Sequence, residues 1–425
     1  MLAALWWRAR FHHKGAQFDL WIVFMLRVPV HNIRPGMVLA RPVMMPSDVR
    51  RVLLQRDREI PAEMVPRLKQ LGVLEVWIRH RSFEFLEDLV DEGLGDRQRD
   101  IYLHVRRNFE SMVHEPATSL NVADFQQSIG ELFDFLKKSN ASSVLLQKLD
   151  AFDNYLLSHS TNVCYLALLL GLQLERYLID QRRSKSPRDA KDLRELGLGC
   201  LLHDVGKINT PREILFKPGR LTSEEMDVMK RHPEDGFKLV RGRVPSASAQ
   251  VVLNHHQRYA GEGYPERKNA ATGEPLPPIC GQQIPIFSRM ASICDVYDAA
   301  TTKRCYSDAK PPVQALHEMR SWCQGFFDPV VEEAFYRVIP AFPIGQVVAL
   351  SNGIEAVVVD FNADFPTRPK VQGLKDPNGE PYRDPSLEEI DLAMHYDLDI
   401  VEIDGLDVRP FIESLESSGQ LSPVG

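Results

Sequence analysis

Cysteine is scarce in this 425-residue chain. There are six, and no two stand in a Cys-x-x-Cys spacing. That argues against a thiolate zinc site and reads as reduced thiols in a cytosolic protein. A basic excess is also missing: 51 Lys and Arg stand against 58 Asp and Glu, a net charge of −7. The molecule as a whole has no field that would gather a nucleic-acid polymer or an anionic membrane, so an anionic substrate needs a local cationic device such as a metal. Long apolar runs are missing too. Leu2 to Trp7 precedes the basic residues Arg8, Arg10 and Lys14, the reverse of a signal peptide's order. Leu20 to Leu26 is far shorter than the ~18–20 residues that span a bilayer, so no membrane span and a cytoplasmic location are expected. No internal repeat is found, and no low-complexity tract other than a polar tail.

What is present is an ordinary globular composition, 44% hydrophobic and 26% charged. Residues 1–25 read as a loosely ordered extension, and Met25 is an alternative start because patterned sequence begins just after it. Residues 26–81 carry β-type runs, Arg27 to Val30, Met37 to Val43 and Val73 to Ile78, around an Arg34-Pro35-Gly36 turn, with helical spacing from Pro61 to Leu71. Residues 82–145 read as a helical connector. Residues 146–340 read as mostly helical: Asn154 to Leu178, Leu193 to Val205, a capping box at Thr222 to Glu225, Ser246 to His256, Gln282 to Lys303 and Val313 to Val338. Residues 341–412 return to strands, with a hairpin signal at Ser351-Asn352-Gly353 between Gln346–Leu350 and Glu355–Asp360 and a later strand from Leu398 to Ile403. Residues 413–425 form the polar tail.

Six of the 13 histidines, His159, His203, His232, His255, His256 and His317, fall in the helical region, where single histidines are usually structural. Grouping raises the signal for five of them, whereas His317 has no supporting neighbour. His203-Asp204 closes an apolar helix before Val205-Gly206-Lys207, where Gly206 can stop the helix. His255-His256 closes another at a Gly-rich loop, His232 precedes Pro233, and Asp295 lies in a further helix. Imidazoles and carboxylates without thiolate suit iron, manganese or zinc better than magnesium or calcium. There are too many ligands for one tetrahedral site, so two metals fit better. Two cations would lower the pKa of a bridging water and orient a phosphoryl group for in-line displacement. Lys207 reads either as a phosphate contact or as a solvated lysine at a helix C-terminus.

These residues resemble the HD-GYP domain, a branch of the HD metal-dependent phosphohydrolases. The match runs from Ser158-His159-Ser160 through His203-Asp204-Val205-Gly206-Lys207, Ile214 to Thr222, His232-Pro233 with Gly236, His255-His256 and Gly261-Glu262-Gly263-Tyr264-Pro265 to Ile284-Pro285 and Asp295-Val296-Tyr297-Asp298-Ala299. It covers roughly residues 146–325. The first unit resembles, through Arg34-Pro35-Gly36-Met37, an accessory domain often found before such domains. The resemblance implies a mainly α fold, a helical HD-type core flanked by a small β-rich N-terminal domain and a small β-rich C-terminal module. It implies a bacterial cyclic di-GMP phosphodiesterase in second-messenger signalling, yielding linear pGpG, GMP or both by attack of a metal-bridging hydroxide. Two divalent ions are implied, iron or manganese with zinc or nickel as alternatives. One would be held by His159, His203, Asp204 and Asp295, the other by Asp204, His232, His255 and His256, with Asp204 bridging. Lys207, Tyr264 and Arg304 would touch substrate, Lys207 at the scissile phosphate. Some members hold a third metal through a carboxylate where this chain has Tyr155, so a binuclear centre is expected. Diguanylate cyclases or other signalling proteins are the protein partners to expect.

The chain departs from the family pattern in four places. Gln257 stands where a glutamate follows the histidine pair, Ala260 where an aspartate precedes the loop glycine, Cys305 in an Arg-Pro-Tyr triplet, and Ser307 at a position usually basic. Losing carboxylates beside a metal weakens what orients its ligands. The departures therefore keep two other readings open: a catalytically weak cyclic di-GMP sensor or scaffold, and an HD phosphohydrolase acting on another nucleotide.

Overall fold

The computed structural model describes residues 26–45, 48–73, 75–79, 97, 100–107, 122–138, 155–269, 271–302, 309–382 and 388–417. Residues 1–25, much of the 82–145 connector and the segment bearing Arg304, Cys305 and Ser307 lie outside the described residues.

The first unit contains β1 (Leu26–Pro29), β2 (Val43–Met45), β3 (Asp48–Leu54), α1 (Met64–Gln70) and β4 (Glu75–Ile78). β1 pairs antiparallel with β4, and β2 with β3. The stretch from Met37 to Val43 was expected as a strand. Its upstream part makes only single bridges, Val38 to Glu59 and Leu39 to Ile78, and the strand proper starts at Val43. Pro42 lacks the N–H that would continue a ladder. β3 was not expected, because Arg50 and Arg51 interrupt its apolar run.

The helical region begins, among the described elements, with α2 (Val122–Lys138), whose Phe125, Ile129, Leu132, Phe133 and Leu136 recur at helical spacing and are all buried. Next come α3 (Tyr155–Gln173), α4 (Glu175–Gln181), α5 (Pro187–Ala190) and α6 (Arg194–Leu202), a 3-10 turn at Val205–Asn209, then α7 (Arg212–Leu215), α8 (Ser223–Met229), α9 (His232–Val240), α10 (Ser246–Asn254), α11 (Ile286–Thr301), α12 (Pro312–Trp322) and α13 (Pro329–Val338). One long helix was expected from Asn154 to Leu178. Instead α3 and α4 meet at 89°. The break lets Leu174 and Leu178 both bury in the main core, while Glu175 stays outside to pair with Lys191. The capping box at Thr222 forms with both of its hydrogen bonds. No single helix among the described residues is long and apolar enough to cross a membrane.

β5 (Val347–Leu350), β6 (Glu355–Asp360), β7 (Lys370–Lys375), β8 (Glu389–Asp391), β9 (Ile400–Ile403) and β10 (Leu406–Asp407) form an antiparallel sheet in the order β10-β9-β5-β6-β7-β8. The hairpin between β5 and β6 turns through Gly353 at φ +86°, a conformation that favours glycine. The chain then continues into α14 (Arg409–Ser417), so the helix extends into the stretch expected to be a polar tail from 413. Ile412 and Leu415 face inward at helical spacing, which a composition-based reading misses.

The central strands are buried on both faces. On β6, Ala356 and Val358 join the core that the helices build, whereas Val357 and Val359 join a second core with Val28, Leu39, Ile60, Leu68 and Val76 of the first unit. Successive strand residues point to opposite faces, so one four-residue run serves two cores. The sheet is thus the middle layer between the helical core and the N-terminal unit.

Candidate metal centre

Five short segments bring their side chains to one buried place. His159 sits in the second turn of α3, His203 and Asp204 follow the end of α6, His232 opens α9, His255 and His256 follow α10, and Asp295 lies in the middle of α11. All are buried except His256, which is partly exposed. They fall into overlapping groups whose ligand atoms lie within 4.8 Å of one another: His159, His203 and Asp295; His203, Asp204 and His255; His232, His255 and His256.

Asp204 joins the groups through different oxygens. Its Oδ2 is 3.5 Å from His203 Nε2 and 3.8 Å from His159 Nε2, while its Oδ1 is 3.3 Å from His232 Nε2 and 4.0 Å from His255 Nε2. Oδ1 is buried and has no hydrogen-bond partner. The carboxyl lies in a place where burial would raise its pKa, but the Lys207 ammonium beside it holds it well below the usual carboxylate range. Lys207 Nζ is 2.5 Å from Oδ2, one turn along the chain.

Gly206 explains how Asp204 and His232 come so close. It was expected to stop a helix, but α6 has already ended at Leu202, and Gly206 is not among the positive-φ glycines. Its role is close approach. A Cβ there would lie 2.0 Å from the His232 carbonyl oxygen, so only glycine lets the 205–209 turn press against the start of α9.

The imidazoles are fixed by their far nitrogens. His203 Nδ1 is 2.6 Å from the Cys200 carbonyl oxygen, His232 Nδ1 2.8 Å from that of Met229, and His255 Nδ1 2.9 Å from that of Val252. A carbonyl only accepts, so each Nδ1 carries the proton. Burial pushes the pKa of all three down, that of His232 to about 4, so the rings are neutral and each Nε2 presents a lone pair. Yet His232 Nε2 and His255 Nε2 stand 3.2 Å apart. Two lone pairs at that distance repel unless a cation lies between them. Together with the unpartnered Asp204 Oδ1, this is a donor set that fits a divalent ion.

His159 differs. Its Nδ1 is 2.7 Å from Asp298 Oδ2, and its Nε2 is 3.0 Å from Asp295 Oδ1 and 3.3 Å from His203 Nε2. Burial would lower its pKa, but hydrogen bonds and charge from the two aspartates push it up to about 9. Asp298 is held in turn by Asn162 Nδ2 at 2.9 Å and Thr302 Oγ1 at 3.1 Å. Asp298 has no role in the ligand set that the sequence resemblance implies. Its signal was available, because Asp298 lies one helical turn after Asp295 and so shares its face of α11.

Tyr264 stacks on His256, ring centroids 4.5 Å apart and planes at 26°. Of the loop glycines, Gly261 has φ +95°, while Gly263 is needed for space, since a Cβ there would lie 2.5 Å from the His256 carbonyl oxygen. The Gln257 Nε2 donates to the Pro265 carbonyl oxygen at 2.8 Å. Arg304 lies outside the described residues. Tyr155 opens α3. His317 lies on α12 with its ring against Phe411, and it joins none of the ligand groups.

A buried constellation of five imidazoles and two carboxylates, arranged about one aspartate, could hold metal ions. Residues 176–331 match the HD domain family, and residues 347–406 match a KOW domain associated with HD domains. With its Gly-Tyr-Pro loop, the chain is similar to HD-GYP domain proteins, and its His and Asp clusters could bind metal. It is 35% identical over 229 residues to a cyclic di-GMP phosphodiesterase of Pseudomonas aeruginosa, covering 53% of this chain and 50% of that protein. It is 36% identical over 150 residues to a cyclic di-GMP phosphodiesterase response regulator of Xanthomonas campestris, covering 35% and 37%. It is also 33% identical over 135 residues to a 3'3'-cGAMP-specific phosphodiesterase of Vibrio cholerae, covering 31% and 24%. The chain therefore spans half or less of the length of these relatives.

Proposed function

We propose that this protein is a metal-dependent phosphodiesterase that hydrolyses cyclic di-GMP to linear pGpG, GMP or both. The observation that carries the reading is Asp204, whose two oxygens face two separate imidazole groups. His159, His203, Asp204 and Asp295 would hold one divalent ion, and Asp204, His232, His255 and His256 the other. Iron or manganese suits these donors. When bound, such a pair supplies Lewis acidity to a phosphoryl oxygen and lowers the pKa of water.

The remaining chemistry belongs to side chains. Lys207, hydrogen-bonded to Asp204 and mostly shielded from solvent, puts an ammonium beside the shared carboxylate, where it can neutralise charge developing on a phosphate oxygen. Tyr264 and His256 offer a stacked pair at the partly open side, a surface suited to the flat face of a nucleobase. Arg304 is proposed as a further substrate contact.

The test is chromatography of cyclic di-GMP incubated with anaerobically purified, iron- or manganese-loaded protein, with metal counted in parallel. Linear product at about two metals per chain is the expected result. Intact substrate with both metals present overturns it. A second reading has a specific motive, because relatives named for cyclic di-GMP and for 3'3'-cGAMP both match this chain. Competition between the two cyclic dinucleotides decides, and preference for the latter transfers the activity to that substrate.

A further inference from the structure

The loop from Gln257 to Pro265 is anchored unevenly. Its outgoing half is tied down several times: Tyr259 N donates to Phe326 O and Ala260 N to Gly325 O, both at 2.8 Å. Tyr259 O accepts from Gly281 N at 2.8 Å, and the Arg258 guanidinium lies 3.6 Å over the Phe326 ring. Ala260 itself packs beside Gly325, where a Cβ on that glycine would come within 3.2 Å. The returning half carries Tyr264. Among the described residues it is held by two bonds back to the start of the loop, Tyr264 N to His256 O at 3.2 Å and Gln257 Nε2 to Pro265 O at 2.8 Å.

The second bond is a side chain reaching across the base of the loop, and Gln257 is only 4% exposed. Its acceptor is a main-chain carbonyl, so the group at 257 must donate. An amide can do this. An ionised carboxylate at the same place has no proton to give and would set its lone pairs against those of Pro265.

We propose that Gln257 is a positioning residue: its amide staples the returning half of the loop and thereby keeps the Tyr264 ring stacked on His256 at the mouth of the metal centre. Gln257 touches neither substrate nor metal in this scheme. It acts through Tyr264, and its consequence is affinity for the ligand that Tyr264 faces. The affinity part rests on the phosphodiesterase reading; the staple does not.

The test uses full-length, metal-loaded protein and two nearly isosteric variants, Gln257→Met, which cannot donate, and Gln257→Glu, which cannot donate once ionised. Hydrogen exchange by mass spectrometry over residues 257–266 reads the staple directly, and kcat and KM for cyclic di-GMP read its effect. Both variants are expected to exchange faster in that segment and to raise KM about fivefold, the equivalent of one ordinary hydrogen bond, with kcat and metal content little changed. In a Tyr264→Ala background, Gln257→Met should add nothing further to KM. Unchanged exchange in a folded variant overturns the staple. A fall in kcat with loss of metal and no change in KM places Gln257's effect on the histidines instead, and additive effects on KM show that it does not act through Tyr264. A wild-type protein inert toward cyclic di-GMP defeats the phosphodiesterase reading, and the exchange data still judge the staple.

Discussion

The two halves of the centre are built from the same ligand type but backed differently. On one side His159 leans on a carboxylate, Asp298, itself held by Asn162 and Thr302, while its neighbour His203 leans on the Cys200 carbonyl. On the other side His232 and His255 lean on main-chain carbonyls. A carboxylate behind an imidazole adds negative charge and makes the ring a more basic donor, whereas a carbonyl mainly fixes the tautomer and orientation. The titration differs too: hydrogen bonds and charge from Asp295 and Asp298 push His159 up to about 9, while burial takes His232 down to about 4. The half backed by Asp298 can be retuned by one substitution. The other is written into helix ends and cannot be altered without moving backbone.

The largest test of this comparison is to remove what the halves share. Asp204→Ala should lose both metals and reduce turnover by about a thousandfold or more, since each cation supplies several kcal/mol of transition-state stabilisation. Metal analysis and product chromatography on the same sample check it, and retained turnover defeats the shared-ligand scheme. Next come His159→Ala and His232→Ala. Each should drop the metal count from about two to about one per chain while leaving the other ion in place. Identical loss of both ions from either variant would show a single cooperative site. Asp298→Asn is subtler: the hydrogen bond to His159 can persist while the charge goes, and metal affinity of that half should fall about 10–100-fold in chelator competition, with the His232 half unmoved.

The smallest effect is on pH. In the metal-free protein, the folded chain refuses a proton on His232 down to about pH 4, whereas the unfolded chain accepts it near 6.5. The unfolded state therefore binds more protons in that window, and His232's share of stability is lost as pH falls from 6.5 toward 4. His159 has the opposite sign, because its raised pKa favours the fold below 6.5 and that contribution fades as pH rises through about 9. Urea midpoints of metal-free protein at pH 5, 7 and 9.5 should show both slopes, and Asp298→Asn should flatten the alkaline one.

Legibility in the sequence followed locality. The capping box at Thr222, the Gly353 hairpin and the amphipathic α2 depend on neighbours within a few residues, so spacing alone reveals them. β3 was hidden by Arg50 and Arg51, and the bend at Leu174 looked like continuous helix, since nothing local stops it. Gly206 looked like a helix stop because its true constraint, the His232 carbonyl, lies 26 residues along the chain. Gln257 looked like a lost carboxylate, because its partner is a carbonyl reached only once the loop has closed.

What the sequence by itself determined is chemistry and order: which side chains can donate to a metal, that thiolate is not among them, and that helices carrying them separate two strand-rich stretches. Those are properties of residue type and period. The tertiary structure decided which oxygen of Asp204 faces which imidazoles, which nitrogens keep their protons, and that alternate residues of one strand serve two cores. These depend on groups tens or hundreds of residues apart meeting at 3 Å, which packing of the folded chain fixes and spacing along the chain does not.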